Sequence, residues 1–480
     1  MSERLRRLGW VPVLLWCAVA VLFTLRLSGW TSDDFYITYR YARNLAQGQG
    51  FVFNPGERVF GTTDPGLGLL LGALHFVLRA PVPLLGTIVF AAALVGIATI
   101  LLLEGWRRGH WVEPVLGGSL LLVFSYVWGN HGAAAPLVIL LLLLAAKLVE
   151  PRPIVAGLLS GAAVWVRPDA AIGVALLALI VFWRDRRVPW RFVLASGCVI
   201  AAGLILAWLY FGSPLPNTIG AKTDMATATA NSWSGARFWP RALVSLRRHL
   251  GAEWSLVLIC GAVGCWPLAK RAGQPGLLLA LFGLAMAAAY PLLGVPFFSW
   301  YILPCLIATL YGLAFFAGWV ASRAPSLRTV IATAIFVLLA FTTLRNSWHY
   351  SRQAGPVPKM QSYRRAAEWI KAHSGPDASI AYVEIGVIGY YSERPILDLM
   401  GLVTPAARPY VLRNDLLGAL RANPTDYVLS HTRGRMAPIV GSRWFKRRYR
   451  EVMRFEDPGG GRKGMLLIYQ RRLRFMRKPA

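Results

Sequence analysis

Apolar runs long enough to cross a lipid bilayer recur through the first two thirds of the chain, and they leave few architectures open. VPVLLWCAVAVLFTLRLSGW (Val11–Trp30) begins the series, and TIVFAAALVGIATILLL (Thr87–Leu103) is typical of it. Runs of roughly 17 to 25 such residues match a helix that spans the hydrocarbon core. Of the 480 residues, 56% are hydrophobic and only 15% charged, whereas a soluble domain carries about 25% charged residues. A soluble fold would have to bury every run. The pattern therefore predicts a polytopic α-helical membrane protein.

The formal charge of +29 would point to nucleic acid in a soluble protein. Here much of it comes from arginines between apolar runs, as in RDRRVPWR (Arg184–Arg191). That is the positive-inside bias. The lipid bilayer and its anionic headgroups are the expected partner, not nucleic acid. Cys17, Cys198, Cys260, Cys265 and Cys305 lie in or beside apolar runs without metal-ligand spacing, so they read as small apolar residues.

MSERLRRLGW places arginines before the first run. That run is long for a signal peptide and has no clear cleavage site, which predicts an uncleaved first helix with a cytoplasmic N-terminus. The next apolar run, about residues 66–79, is short for a span. Assigning it to a first outer loop, 31–81, as a juxtamembrane helix returns WRRGH (Trp106–His110) to the cytoplasm. The later turns then alternate, giving about eleven spans in residues 1–344, the last at about 328–344. From about residue 345 the composition changes. YRRAAEWIKAHS (Tyr363–Ser374) is an amphipathic helix pattern, and SIAYVEIGVIGYYS, YVLS and GMLLIYQ look like strands or strand–helix turns. These residues predict a soluble α/β domain, 345–480, on the outer side with the first loop. Its basic end, RRLRFMRK (Arg471–Lys478), reads as a solvated tail.

The chain's densest carboxylate cluster follows the first apolar run directly: TSDDFYITYRYARNLAQGQGFVFNPGERVFGTTDP, Thr31–Pro65. Ser32 is a good N-cap, and Asp33 and Asp34 occupy a first helical turn, where anions are favoured. Arg40 follows Asp33 by two turns on one face, and Asn44 continues it. The turn-rich continuation carries Asn54, Glu57, Arg58 and Asp64. A carboxylate can serve as general base for a hydroxyl that attacks an anomeric carbon. A cation can stabilise a departing phosphate. One Asp and one Arg held at a membrane boundary are the minimum for sugar transfer from a lipid phosphate.

DDFYITYRYARNLAQGQGFVFNPGERVFGTTDP resembles, over about 33 residues, the first outer loop of membrane glycosyltransferases of the GT-C superfamily. The resemblance is to the bacterial group that includes the mycobacterial terminal arabinofuranosyltransferases. Arg167–Asp169 (RPD), Tyr210–Thr223 (YFGSPLPNTIGAKT) and Glu384–Pro405 (EIGVIGYYSERPILDLMGLVTP) support it. The resemblance implies a polyprenyl-phosphate sugar donor, an extracytoplasmic glycan or lipid-linked acceptor, a bacterial inner-membrane location, and juxtamembrane helices in the first loop. It implies Asp33 as catalytic base with Asp34 assisting, and Arg40 in structure or phosphate binding. The group often has a second acid in its next outer loop, where this chain has Ala134 in HGAAAP (His131–Pro136). Asp64 or His131 could fill that role, or the activity could be altered or lost.

Other polar residues each carry a bland and a sharp reading. Arg167 and Asp169 form a local ion pair or bind donor phosphate. Lys222 snorkels to headgroups or contacts phosphate, and Asn217 is a turn residue within the same motif. Trp300 and Tyr301 belong to an aromatic belt or line a substrate groove. Glu384 and Asp398 read as structural or acceptor-side acids. A divalent cation on Asp33 and Asp34 is conceivable, although two carboxylates alone are a weak signal. A transporter or lipid flippase is the competing class. It would need charge near the middle of several spans, whereas this chain keeps its charge near helix ends.

Overall fold

The computed structural model describes residues 10–27, 31–228, 234–250, 254–323, 330, 345, 358–456 and 464–472. The expected last span, about 328–344, and the basic tail lie outside these residues apart from Val330, Arg471 and Arg472. The chain divides into two compact units. One comprises 1–28, 84–204 and 233–354; the other comprises 29–83, 205–232 and 355–480.

The first unit is helical. Four helices of the chain are long and apolar enough to cross a membrane: Val82–Arg107, Trp190–Phe211, Gly273–Leu292 and Ser299–Arg323. Shorter apolar helices include Val11–Leu27, Val112–Val123, Ala135–Leu148 and Pro153–Val166. Small residues let these helices pack backbone to backbone. A Cβ on Gly264 would come 1.8 Å from the Gly312 carbonyl oxygen, and one on Gly157 2.5 Å from that of Phe192. Charge is paired near helix ends, as in Arg271 with Glu113 (3.3 Å) and Lys147 with Glu104 (3.5 Å).

The second unit holds a five-stranded sheet of β1 (Ile380–Tyr382), β2 (Ile396–Asp398), β3 (Tyr427–His431), β4 (Tyr449–Glu456) and β5 (Met465–Arg471), in the order β2-β1-β3-β5-β4. β1 runs parallel to β2 and β3, and β5 runs antiparallel to β3 and β4. β1, β3 and β5 are the apolar segments that the sequence marks. β2 and β4 are the edge strands. β4 carries Arg450, Glu451 and Arg454, the charges by which an edge strand avoids further pairing, and these hide its strand pattern. The helix Pro358–His373 buries Tyr363, Ala366, Ala367 and Ile370, the one-face spacing of an amphipathic helix.

The loop that follows the first apolar run folds into this same unit. Helix Asp33–Ala46 is buried over most of its length, and Ser32 is its N-cap residue without a side-chain capping bond. Helix Pro65–Leu78 matches the expected short run. It packs so closely that a Cβ on Gly72 would lie 3.0 Å from the Ala42 carbonyl oxygen. Its Leu69, Phe76, Val77 and Leu78 are exposed, the surface expected of a helix lying against lipid.

Asp398 organises the turn after β2. It is fully buried and accepts from the amides of Met400 (2.8 Å), Leu402 (2.5 Å) and Val403 (3.0 Å). Asp398→Ala leaves three enclosed donors without an acceptor, at about 1–3 kcal/mol each. It should lower the melting temperature of the purified chain well below that of Asp398→Asn, followed by tryptophan fluorescence. Equal melting of the two variants would contradict this account.

Candidate active site

The two adjacent carboxylates meet different surroundings. Asp33 is buried, and both of its oxygens are held by main chain. Oδ1 accepts from the Val387 amide (2.7 Å) and Oδ2 from the Gly386 amide (3.0 Å). Burial, then the charge of Glu384 and that of Asp34, push its carboxyl up to about 7, although the two amides pull the other way. Asp34 is half-buried. Enclosure raises its carboxyl first, Lys222 and Lys359 oppose the shift, and Glu384 and Asp64 add to it. Asp33, Asp34, Asp64, Glu384, Lys222 and Lys359 thus share one electrostatic neighbourhood, and all six belong to the second unit.

Each is placed by local structure. Asp33 and Asp34 open a helix, where the first-turn amides favour anions. Asp64 is the N-cap residue of helix Pro65–Leu78, and Lys222 stands on helix Asn217–Ala228. Glu384 sits in the turn between β1 and the helix Gly386–Ser392. It accepts from Lys359 Nζ (2.8 Å) and from the Tyr363 hydroxyl. Lys359 is absent from the sequence-based site because nothing separates it from the other cations of an amphipathic helix. Glu384 shows there only as an acid in an apolar strand pattern.

Other motif residues hold protein to protein. Arg40 is buried, its guanidinium 4.4 Å over the Phe53 ring, and it donates to the Arg394 carbonyl (2.9 Å). The two-turn spacing from Asp33 is real, but the face it defines meets protein and not a ligand. Asn54 exchanges bonds with the backbone of Ile396 (2.9 and 3.0 Å) and donates to Glu57 (3.1 Å). Asn44 donates to the carbonyls of Val52 and Phe53. Asn217 donates to the carbonyls of Gly401 (2.7 Å) and Leu402 (2.9 Å). The substrate contacts expected of Arg40, Asn54, Glu57 and Asn217 give way to contacts that knit the loop to the sheet.

His131, Arg167, Asp169, Trp300 and Tyr301 belong to the first unit. His131 is buried, its Nδ1 2.7 Å from the Trp128 carbonyl, and burial lowers its pKa. Ala134 is buried at the start of helix Ala135–Leu148. Arg167 grips Asp169 (2.7–3.2 Å) and donates to the Tyr290 hydroxyl (3.2 Å), which itself donates to Asp169. Tyr301 stacks on Tyr290 with ring centroids 4.3 Å apart, and Trp300 stacks on Phe298 at 4.8 Å. Both aromatics are buried within the unit. Among the described residues, no three His, Cys, Asp or Glu side chains are grouped so as to hold a metal ion.

Paired outer-loop acids, a multi-pass helical unit and a C-terminal α/β sheet define the GT-C fold of membrane glycosyltransferases. The expected fold class therefore holds. Solved structures with this fold include ArnT of Cupriavidus metallidurans bound to undecaprenyl phosphate (TM-score 0.57, 12% identity, 96% of this chain and 98% of that one). Another is the Archaeoglobus fulgidus oligosaccharyltransferase AglB with an inhibitory peptide and a dolichol-phosphate (TM-score 0.56, 12% identity, 99% and 75%). The resemblance to the arabinofuranosyltransferase group is borne out by a terminal beta-(1->2)-arabinofuranosyltransferase of Mycobacterium tuberculosis. It is 29% identical over 255 residues, 47% of this chain and 40% of that protein. The match spans less than half the length of that relative. Residues 350–472 match a family described as a domain of unknown function, DUF8728.

The carboxylate form of Asp33 is the one that can accept a proton. Activity that depends on it should rise with pH through about 7. Gly386→Ala should remove that activity, because its Cβ would lie 1.8 Å from the Asp33 carbonyl oxygen and force the amides off the carboxylate. Val387→Ala, which keeps the amide, should retain it. A pH profile flat from 5 to 9, taken as about two units either side of the Asp33 value, would contradict this assignment.

Proposed function

We propose that this chain is an inverting glycosyltransferase that moves a sugar from a polyprenyl phosphate to a hydroxyl of an extracytoplasmic glycan or lipid-linked acceptor. The acceptor oxygen attacks the anomeric carbon, and its proton passes to the Asp33 carboxylate. The bond from the anomeric carbon to the phosphate oxygen breaks, and the polyprenyl phosphate leaves with the electron pair. Lys222, whose charge acts on Asp34, lies where it can stabilise that developing anion. The two amides hold Asp33 in one orientation, and each of its oxygens keeps a lone pair for the incoming proton. No step is routed through a metal.

The observation that carries this reading is the difference between the neighbouring acids. One is buried, oriented by main chain and tuned to about 7, where a general base works best near neutrality. The other faces cations. The named relatives support a lipid-phosphate donor: one solved neighbour is bound to undecaprenyl phosphate and another to a dolichol-phosphate. Arabinofuranose is the first sugar to test, because the curated relative transfers it. We place the active unit on the outer face of the bacterial inner membrane, with the N-terminus in the cytoplasm.

The test uses the purified full chain in lipid nanodiscs with radiolabelled polyprenyl-phosphoryl sugars, arabinofuranose and hexose. Asp33→Asn should lower kcat by about 10²–10⁴-fold with little change in donor KM. Lys222→Ala should raise donor KM. Asp33→Asn turnover within a few-fold of wild type, with Asp34→Asn inactive, would move the base to Asp34 and overturn the assignment.

A further inference from the structure

A second feature of the same unit lies beside the acid pair. A cavity of about 340 Å³ is lined by Lys359, Tyr382, Glu384, His431, Arg433 and Arg435, with main chain of 432–436 closing one side. This lies in the ~300–1,000 Å³ range of small-ligand pockets. One wall is the segment Tyr382–Glu384, which continues directly into the Gly386 and Val387 amides that hold Asp33. The cavity wall and the anchor of the candidate base are therefore one short piece of chain.

The polar wall is fixed from behind. Tyr363 and Tyr382 are both fully buried. The Tyr363 hydroxyl donates to Glu384, the Tyr382 hydroxyl donates to that of Tyr363 (3.1 Å), and His431 Nδ1 lies 3.0 Å from the Tyr382 hydroxyl. Lys359 reaches Glu384 at 2.6 Å. A continuous hydrogen-bonded chain thus holds acceptors and donors in set positions along the wall, the preorganisation that a binding site requires. Lys359 and Glu384 balance each other in charge. Arg433 and Arg435 are exposed at the rim and make it cationic. Guanidinium groups in such a place suit the planar, two-point recognition of phosphate or carboxylate. Alternating donors and acceptors suit sugar hydroxyls.

We propose that this cavity seats the acceptor as an anionic saccharide, with a phosphate or carboxylate group on Arg433 and Arg435 and ring hydroxyls along Glu384, Lys359 and His431. The proposal rests on the glycosyltransferase reading and adds to it the charge class of the acceptor. The probes are a disaccharide and its phosphorylated form, titrated into the purified full chain by calorimetry at fixed ionic strength. The phosphorylated form should bind at least tenfold more tightly. The double variant Arg433→Ala, Arg435→Ala should lose that preference while melting like the wild type, since both side chains are exposed. Equal binding of the two probes to the wild type would overturn the proposal, as would a preference that survives in the double variant. Displacement of the phosphorylated probe by inorganic phosphate at the same concentration would reduce the site to an anion contact and overturn the saccharide assignment. Asp33→Asn should keep the preference while losing transfer. A chain that shows the preference but transfers no sugar would retire the catalytic reading and leave the cavity standing.

Discussion

The two bonds from the Gly386 and Val387 amides to the Asp33 carboxylate join residues some 353 positions apart. They tie the loop that follows the first apolar run to the turn that follows the first strand of the C-terminal sheet. Everything proposed for the site depends on that closure. It buries Asp33, sets the direction of its lone pairs and brings Glu384 within electrostatic reach. It also explains why so much of the loop motif is devoted to holding protein. Arg40, Asn44, Asn54 and Asn217 each satisfy main-chain groups of the loop or of the sheet and its turns, where an enclosed, unpaired carbonyl or amide would cost about 1–3 kcal/mol.

The same closure has an energetic consequence. Asp33 titrates higher in the folded chain than its ordinary value of 3.8, so the folded state binds its proton more tightly than the unfolded state does. Its contribution to stability is fully present below about pH 4 and is lost as the pH rises through about 7. The enzyme proposed here is therefore most active where this one residue destabilises the fold most. A strained or costly functional group held by a surrounding scaffold is a common arrangement at active sites. Here the scaffold comes from the neighbouring amides and from the sheet, with Asp398 bracing the turn next to them.

Much of this was legible in the sequence, for identifiable reasons. Apolar runs and the interruption at Thr31–Pro65 gave the helical membrane architecture and the position of the acids. The spacing of Tyr363, Ala366, Ala367 and Ile370 gave the amphipathic helix. Glu384–Pro405 was expected to pack toward the first loop, and in the structure it does. The rest lacked a side-chain signal. Main-chain amides that grip Asp33 leave no mark in a sequence beyond the glycine at 386, where a Cβ could not fit. The face shared by Asp33 and Arg40 follows from helical geometry, but periodicity does not say whether such a face meets substrate or protein. Lys359 was hidden among the cations of its helix, and β4 was hidden by the charges that protect an edge strand.

The central claim is that one carboxylate acts as base in a single displacement at the anomeric carbon. The measurement that tests it most directly is the configuration of the product, read by proton NMR from a donor of known anomer. The account predicts inversion, because an acceptor that attacks opposite the departing phosphate needs a base and no covalent intermediate. Retention of configuration would contradict it, since that outcome requires a carboxylate acting as nucleophile to form a glycosyl-enzyme, a role for which the amide-held Asp33 is not arranged.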